Sequence, residues 1–210
     1  MRHRKVKNLD ERIEANKEFL IEEPTSYKGR WRELFGNEGR LYLELGCGKG
    51  KFITARAMAD AEANFIGIEG LDAVIVRGLE KATENEVKNV RYVMEYVKDI
   101  RDFFEDGELD GIYLNFSDPW PKARHAKRRL TYGDTLLKYK QVLKPEGFIA
   151  FKTDNEGLFD FTMEEIERLG FEIKEMSRDL HNSDLAAKEF TTEYEEKFHG
   201  YGKNINYVKI

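Results

Sequence analysis

The chain has 210 residues, of which 40% are hydrophobic and 36% charged, with a formal net charge of -5. This balance suits a soluble globular protein with one core and argues against a protein that coats nucleic acid nonspecifically. A single cysteine, Cys47, excludes an internal disulfide and a cysteine-based zinc cluster, and no stretch reaches membrane-spanning length.

The opening Met1-Arg2-His3-Arg4-Lys5 leads into polar residues rather than an apolar run, so neither a secretion signal nor a membrane anchor is expected, and a reducing cytoplasm fits. Residues 1–8 are basic and without apolar periodicity, which predicts a mobile arm. Ile13, Phe19, Leu20 and Ile21 among charges predict a short helix over 10–22, ended near Pro24, and Trp31 to Phe35 one packed helical turn.

From Leu41 onward the pattern alternates. Strands are expected at 41–45, 64–69, 90–94, 110–115, 148–152, 171–173 and 206–210, with helices near 51–61, 71–85, 97–105, 131–142 and 156–168. Short apolar strands alternating with helices imply a parallel-type sheet covered on both faces. No repeat, low-complexity tract or linker divides the chain, so residues 1–210 are expected to form one domain.

Glu44-Leu45-Gly46-Cys47-Gly48-Lys49-Gly50 lies where the first strong strand turns into a helix, the place at which open sheets of this type bind nucleotide-like ligands. Gly46, Gly48 and Gly50 allow a tight turn and close approach of a ligand, but their spacing matches neither the dinucleotide fingerprint nor a Walker loop. Glu44 would repel a pyrophosphate and suit an ammonium or sulfonium, and Glu69, at the next strand's end, suits two ribose hydroxyls. A positively charged ribose ligand without phosphate points to S-adenosylmethionine as cofactor. Cys47 reads as a small residue between glycines, since no activating base accompanies it.

A second stretch follows the strand at 110–115. Asp118-Pro119-Trp120-Pro121-Lys122 ends the strand pattern and runs on through Arg124, His125, Lys127, Arg128 and Arg129. A carboxylate, an aromatic plane and a cationic run within a dozen residues suit an electron-rich ring held beside a phosphate backbone. Trp120 would either stack on a displaced base or pack under the prolines. Arg124, His125, Lys127, Arg128 and Arg129 are assigned to that backbone.

With Lys152-Thr153-Asp154-Asn155 and Thr192-Glu193-Tyr194-Glu195, these motifs give a chain that resembles the bacterial tRNA (guanine-N7-)-methyltransferases from about residue 5 to its end. The resemblance implies a Rossmann-like class I methyltransferase fold, α/β, with a mostly parallel seven-stranded sheet and helices on both faces. It implies methylation of a tRNA guanine at N7, at variable-loop position 46, with Asp118 as catalytic residue and cofactor contact. It further implies substrate contacts at Lys122, Asp154 and the segment Thr192, Glu193, Tyr194 and Glu195. Alignment with the family sets Tyr96, preceded by Glu95, beside the adenine, where an acid or amide is usual. No metal and no obligate protein partner are expected, and the protein is expected to be a monomer or homodimer. The rivals are an amino methyltransferase acting on adenine or cytosine and an RNA-binding module that has kept the cofactor fold.

Overall fold

The computed structural model describes residues 6–199 and 202–210, so most of the basic arm predicted over 1–8, residues 1–5, lies outside the described residues. An eight-stranded sheet runs through the molecule in the order β1-β4-β3-β2-β5-β6-β8-β7. Its strands are β1 (Leu20–Ile21), β2 (Leu41–Leu45), β3 (Asn64–Ile68), β4 (Val90–Val93), β5 (Leu109–Asn115), β6 (Leu143–Thr153), β7 (Glu175–Ser177) and β8 (Asn206–Lys209). Strands β1 to β6 pair in parallel, and β8 runs antiparallel to both β6 and β7. The chain builds outward from β2 to β3 and β4, then returns to lay β5 against the other side of β2. The carboxyl ends of β2 and β5 therefore flank the topological switch point, where open sheets of this kind hold ligands.

The helices are α1 (Leu9–Ala15), α2 (Lys51–Ala59), α3 (Asp72–Glu84), α4 (Gly133–Val142), α5 (Glu156–Leu169) and α6 (Glu193–His199); α2 to α5 lie where the sequence pattern sets them, and α6 was not expected. Alternation along the strands divides the core into two clusters. Tyr42, Phe65 and Tyr92 pack with Phe52, Ile53, Ile75 and Leu79 of α2 and α3. Leu41, Leu43, Ile66, Ile112 and Phe151 pack with Leu136 and Tyr139 of α4 and with Phe159 and Ile166 of α5. Helices thus cover both faces, as expected of strands buried on both sides.

Four local expectations need correction. The helix predicted over 10–22 stops at Ala15, because Asn16 leaves helical geometry and its buried side chain bonds the Arg12 carbonyl and the Thr83 hydroxyl. Leu20 and Ile21 then pair with Tyr92 and Val93 as the eighth strand. The predicted helix at 97–105 is a single 3-10 turn, Ile100–Asp102, whose start is capped by the Asp99 carboxylate. The strand expected at 171–173 forms instead at Glu175–Ser177, where it meets β8. Lys144 to Gly147 falls inside β6 as a register shift rather than before it.

Trp31 anchors the segment ahead of β2. It is fully buried, stacks on Phe104 at 5.3 Å and donates its indole N–H to the Phe103 carbonyl at 2.8 Å. The Glu108 carboxylate gathers the backbone N–H groups of Gly29, Trp31 and Glu105 around it. Trp31→Ala should destabilise the protein by about 3–5 kcal/mol, and Trp31→Phe by less, since only the indole hydrogen bond and part of the ring are lost. Denaturant titration checks the order of the two.

Candidate active site at the carboxyl edge of the sheet

The turn after β2 folds back over the end of β3, with the N–H groups of Gly46 and Cys47 both bonded to the Ile68 carbonyl. Gly46 and Gly48 hold φ of 77° and 57°, and a side chain at either would meet nothing within 4 Å, so the turn lines open space. Gly50 is required for a different reason: a Cβ there would lie 2.7 Å from the Tyr92 hydroxyl and 2.8 Å from the Gly78 Cα. The Gly48 N–H donates to Glu69 at 3.2 Å, and the Leu71 N–H to the other Glu69 oxygen at 3.0 Å, which fixes that carboxylate beside the turn.

Glu44 is buried at the end of β2. Its Oε1 accepts from Asn115 Nδ2 across the switch point at 2.8 Å, whereas Oε2 is buried without a partner. Burial pushes its carboxyl up to about 8, opposed by the Asn115 hydrogen bond and the nearby Lys152 charge. A buried acid with one unsatisfied oxygen facing a glycine turn fits a cationic ligand, as the ammonium of S-adenosylmethionine would be. Tyr96 is exposed and its ring lies against Gly70, next to Glu69, while Glu95 is exposed. A tyrosine face thus stands where the adenine contact was expected. Cys47 is buried, and burial holds its thiol well above the usual range, so it is inert at neutral pH.

The loop from Phe116 to Trp120 leaves β5 with two non-glycine residues in left-handed backbone, Phe116 at φ 52° and Trp120 at φ 41°. Asp118 between them is exposed, with no hydrogen-bond partner among the described residues. Arg129, assigned from sequence to the tRNA backbone, is turned inward instead. Its guanidinium donates to the carbonyls of Pro119 and Trp120, each at 3.1 Å, and covers the Phe161 ring at 4.2 Å. It therefore braces the loop that carries Asp118. Arg128 lies over Trp120 at 4.9 Å, and His125 meets the indole edge-on at 5.7 Å. Trp120 packs on its own basic segment.

Lys122, Arg124 and Lys127 are exposed. A cavity of about 190 Å³ opens beside Leu45, and Lys98, Lys127, Arg128 and Lys138 line it together with Val97 and Leu130. Lys98 and Lys138 were not singled out in the sequence, where they lie far from the basic run.

The C-terminal motif closes over the same edge. Asp154, following β6, accepts from the Tyr194 hydroxyl at 3.3 Å and from Lys203 at 3.0 Å, both on Oδ2. Tyr194 packs on Phe116 with ring centroids 5.1 Å apart, joining α6 to the Asp118 loop. Glu193 pairs with Lys81, which also donates to the Lys49 carbonyl at 2.6 Å, and Glu196 pairs with Lys51. Thr192 and Glu195 form a capping box: the Glu195 N–H donates to Thr192 Oγ1 at 2.9 Å, and the Glu195 carboxylate accepts from the Thr192 N–H at 3.4 Å. Glu195 is wholly buried, so the structure turns its carboxylate inward and not toward a substrate. Its charged partner is Lys152, also buried, which the sequence signalled only as a lone cation at the end of the apolar run Phe148 to Phe151.

No group of three or more His, Cys, Asp or Glu residues among the described residues is placed to hold a metal ion, and none of their helices is long and apolar enough to cross a membrane.

Residues 38–208 match a family model described as "Putative methyltransferase". A solved structure described as an antibiotic related methyltransferase superposes with a TM-score of 0.62 at 19% identity, covering 87% of this chain and 92% of that one. Sheet order, glycine turn and paired acids thus define a Rossmann-like, S-adenosylmethionine-dependent methyltransferase. The chain is 47% identical to the tRNA (guanine-N(7)-)-methyltransferase of Halalkalibacterium halodurans, over 92% of its own length and 87% of the relative's. It is also 47% identical to that of a Geobacillus species, over 98% and 93%. It belongs to the bacterial tRNA (guanine-N7-)-methyltransferases.

Two outcomes follow from this geometry. With its folded pKa raised from 4.5 to about 8, Glu44 contributes stability that is fully present below the first value and lost progressively as pH rises to the second, above which no more is lost. An ammonium at Oε2 favours the ionised form, so affinity for S-adenosylhomocysteine, which keeps the amino acid end, should rise up to that pH with proton release. Calorimetry in buffers of different ionisation enthalpy measures the release, and Glu44→Gln should leave only the ligand's own titration. Separately, Arg128→Glu should lower the salt dependence of tRNA binding by a slope of about 1, whereas Arg129→Ala should leave the slope unchanged and lower turnover about 10–100-fold.

Proposed function

We propose that this protein transfers the methyl group of S-adenosylmethionine to N7 of a guanine in tRNA, giving 7-methylguanosine, with the variable-loop guanine at position 46 as target and the cytoplasm as its place of action. Asp118 supports this most directly: an exposed carboxylate without a partner, on a braced loop beside the glycine turn and its buried acid.

Guanine N7 carries an in-plane lone pair, so attack needs no prior deprotonation and no general base. S-adenosylmethionine supplies a methyl carbon activated by its sulfonium. The chain's task is to align the reacting atoms and to meet the charge that moves during transfer. Glu44 holds the cationic end of the cofactor, Glu69 accepts from the ribose hydroxyls, and the glycine turn admits both close to the backbone. Tyr96, preceded by Glu95, offers a ring face to the adenine.

Transfer would form the N7–C bond as the S–C bond breaks, with S-adenosylhomocysteine leaving, and Asp118 would stabilise the positive charge then carried by the purine. Asp154 holds α6 through Oδ2, which leaves Oδ1 for the guanine N1–H, a donor that adenine, with its unprotonated N1, does not present. Thr192, Glu193 and Tyr194 complete the substrate edge, and Lys122 serves O6 or a neighbouring phosphate. Arg124, His125, Lys127 and Arg128 line the path of the tRNA backbone, and Lys98 extends it into the adjacent cavity, where Lys138 is paired with Asp99 at 2.9 Å.

Incubation with labelled S-adenosylmethionine and an unmodified tRNA transcript, followed by N7-specific chain cleavage, tests this. Label at one guanine is expected, and a methyl on adenine N6 or cytosine C5 would overturn it. Asp118→Asn should lower kcat about 100-fold with affinity for S-adenosylhomocysteine largely kept.

A further inference from the structure

Lys152 is a lysine where the fold calls for an apolar residue. It lies at the carboxyl end of β6 with its side chain 3% exposed, paired in register with Asn115 of β5. Its ammonium donates to the Ala187 carbonyl at 2.7 Å, to the Phe190 carbonyl at 2.8 Å, and toward both Glu195 oxygens at 3.4 and 3.5 Å. All its bonds therefore go to one stretch of chain, residues 187–195. His181 Nε2 lies 3.0 Å from the same Glu195 carboxylate.

A buried ion pair is a poor source of stability, because desolvation offsets its attraction and an apolar pair would pack as well. What Lys152 supplies is geometry: two carbonyls three residues apart and a capping carboxylate are fixed on one point of the sheet. The other ionic ties of this stretch, Glu193 to Lys81 and Glu196 to Lys51, are partly exposed and correspondingly weak.

We propose that Lys152 is a positioning residue for methyl transfer, its buried ammonium pinning residues 187–195 so that Thr192, Glu193 and Tyr194 stand fixed beside the Asp118 loop. The pinning itself is independent of the substrate, whereas its effect on turnover rests on the function proposed above.

The double variant Lys152→Met/Glu195→Leu removes both charges together and so avoids leaving one buried alone. It should retain a folded circular dichroism spectrum and a cooperative thermal transition, and its turnover is compared at saturating S-adenosylmethionine, since the Lys152 charge also acts on Glu44. Hydrogen exchange of the 187–195 amides should quicken at least about 10-fold, and kcat on tRNA should fall about 100-fold. Lys152→Gln/Glu195→Gln, which leaves no buried charge and keeps N–H donors for the two carbonyls and an acceptor for the Thr192 N–H, should fall between the parent and the first variant in both measurements, and it serves as the test should that variant not fold. Unchanged exchange across 187–195, or parental kcat in a variant that exchanges faster, overturns the proposal. A parent protein that methylates no tRNA guanine would instead remove the functional reading, and the exchange result would still decide the pinning.

Discussion

A row of buried polar groups along the carboxyl edge of the sheet sets the terms for everything around it. Glu44 on β2 bonds Asn115 on β5, Asn115 pairs in register with Lys152 on β6, and Lys152 meets Glu195 of α6. Each of these side chains is at most 8% exposed, in the part of the molecule where solvation is most expensive to give up. Lys152 and Glu195 satisfy one another, while Glu44 keeps an oxygen without a partner. The row is thus complete at one end, while at the other the oxygen without a partner belongs to Glu44, two residues before Gly46. A parallel sheet brings this about because its strands all finish on the same edge, so strand-end residues remote in sequence become neighbours.

The Asp118 loop shows a second use of buried interaction. Its backbone passes twice through left-handed geometry without glycine, at Phe116 and Trp120, and such strain persists only where surroundings over-determine it. Arg129 provides part of that determination through two carbonyls, and Tyr194 packs on Phe116 from the other side. Within one basic run, Arg129 therefore acts as framework while exposed Arg124 and Lys127 remain available to phosphate. Charge density alone does not separate these roles, because a guanidinium serves a carbonyl as readily as a phosphate.

That distinction explains how far the sequence could be read. Strands β2 to β5, helices α2, α3 and α5, and the acids at strand ends follow from apolar periodicity and turn residues, which are local signals. Leu20–Ile21 escaped because two residues make no period, and their strand exists only through pairing with Tyr92 and Val93. The family resemblance implies a substrate contact at Glu195 and the surrounding acidic run suits a surface acid, yet Thr192 three residues earlier marks a capping box. Its burial depended on Lys152, more than forty residues away, and no local pattern carries that pairing. Lys98 and Lys138 join the basic cavity for the same reason: tertiary placement, not sequence proximity, gathers them.

Methylation at N7 needs neither a base nor an activated nucleophile, and the site is built accordingly. Cys47, the one thiol, sits within the glycine turn yet is held protonated by burial. His125 meets the Trp120 indole edge-on, within the basic segment proposed to follow the tRNA backbone. What the site does offer is carboxylates in contrasting surroundings: Glu44 buried, Glu69 tied to backbone N–H groups, Asp118 exposed and unpaired. In the function proposed above, the first two would meet fixed features of a bound cofactor, a positive charge and a pair of hydroxyls, before any bond changes. Only a carboxylate free of protein partners can respond to charge that appears during the reaction, since one already neutralised by a lysine or arginine has little field left to give. Among the three, Asp118 alone is exposed and free of protein partners, the condition that the role proposed for it requires.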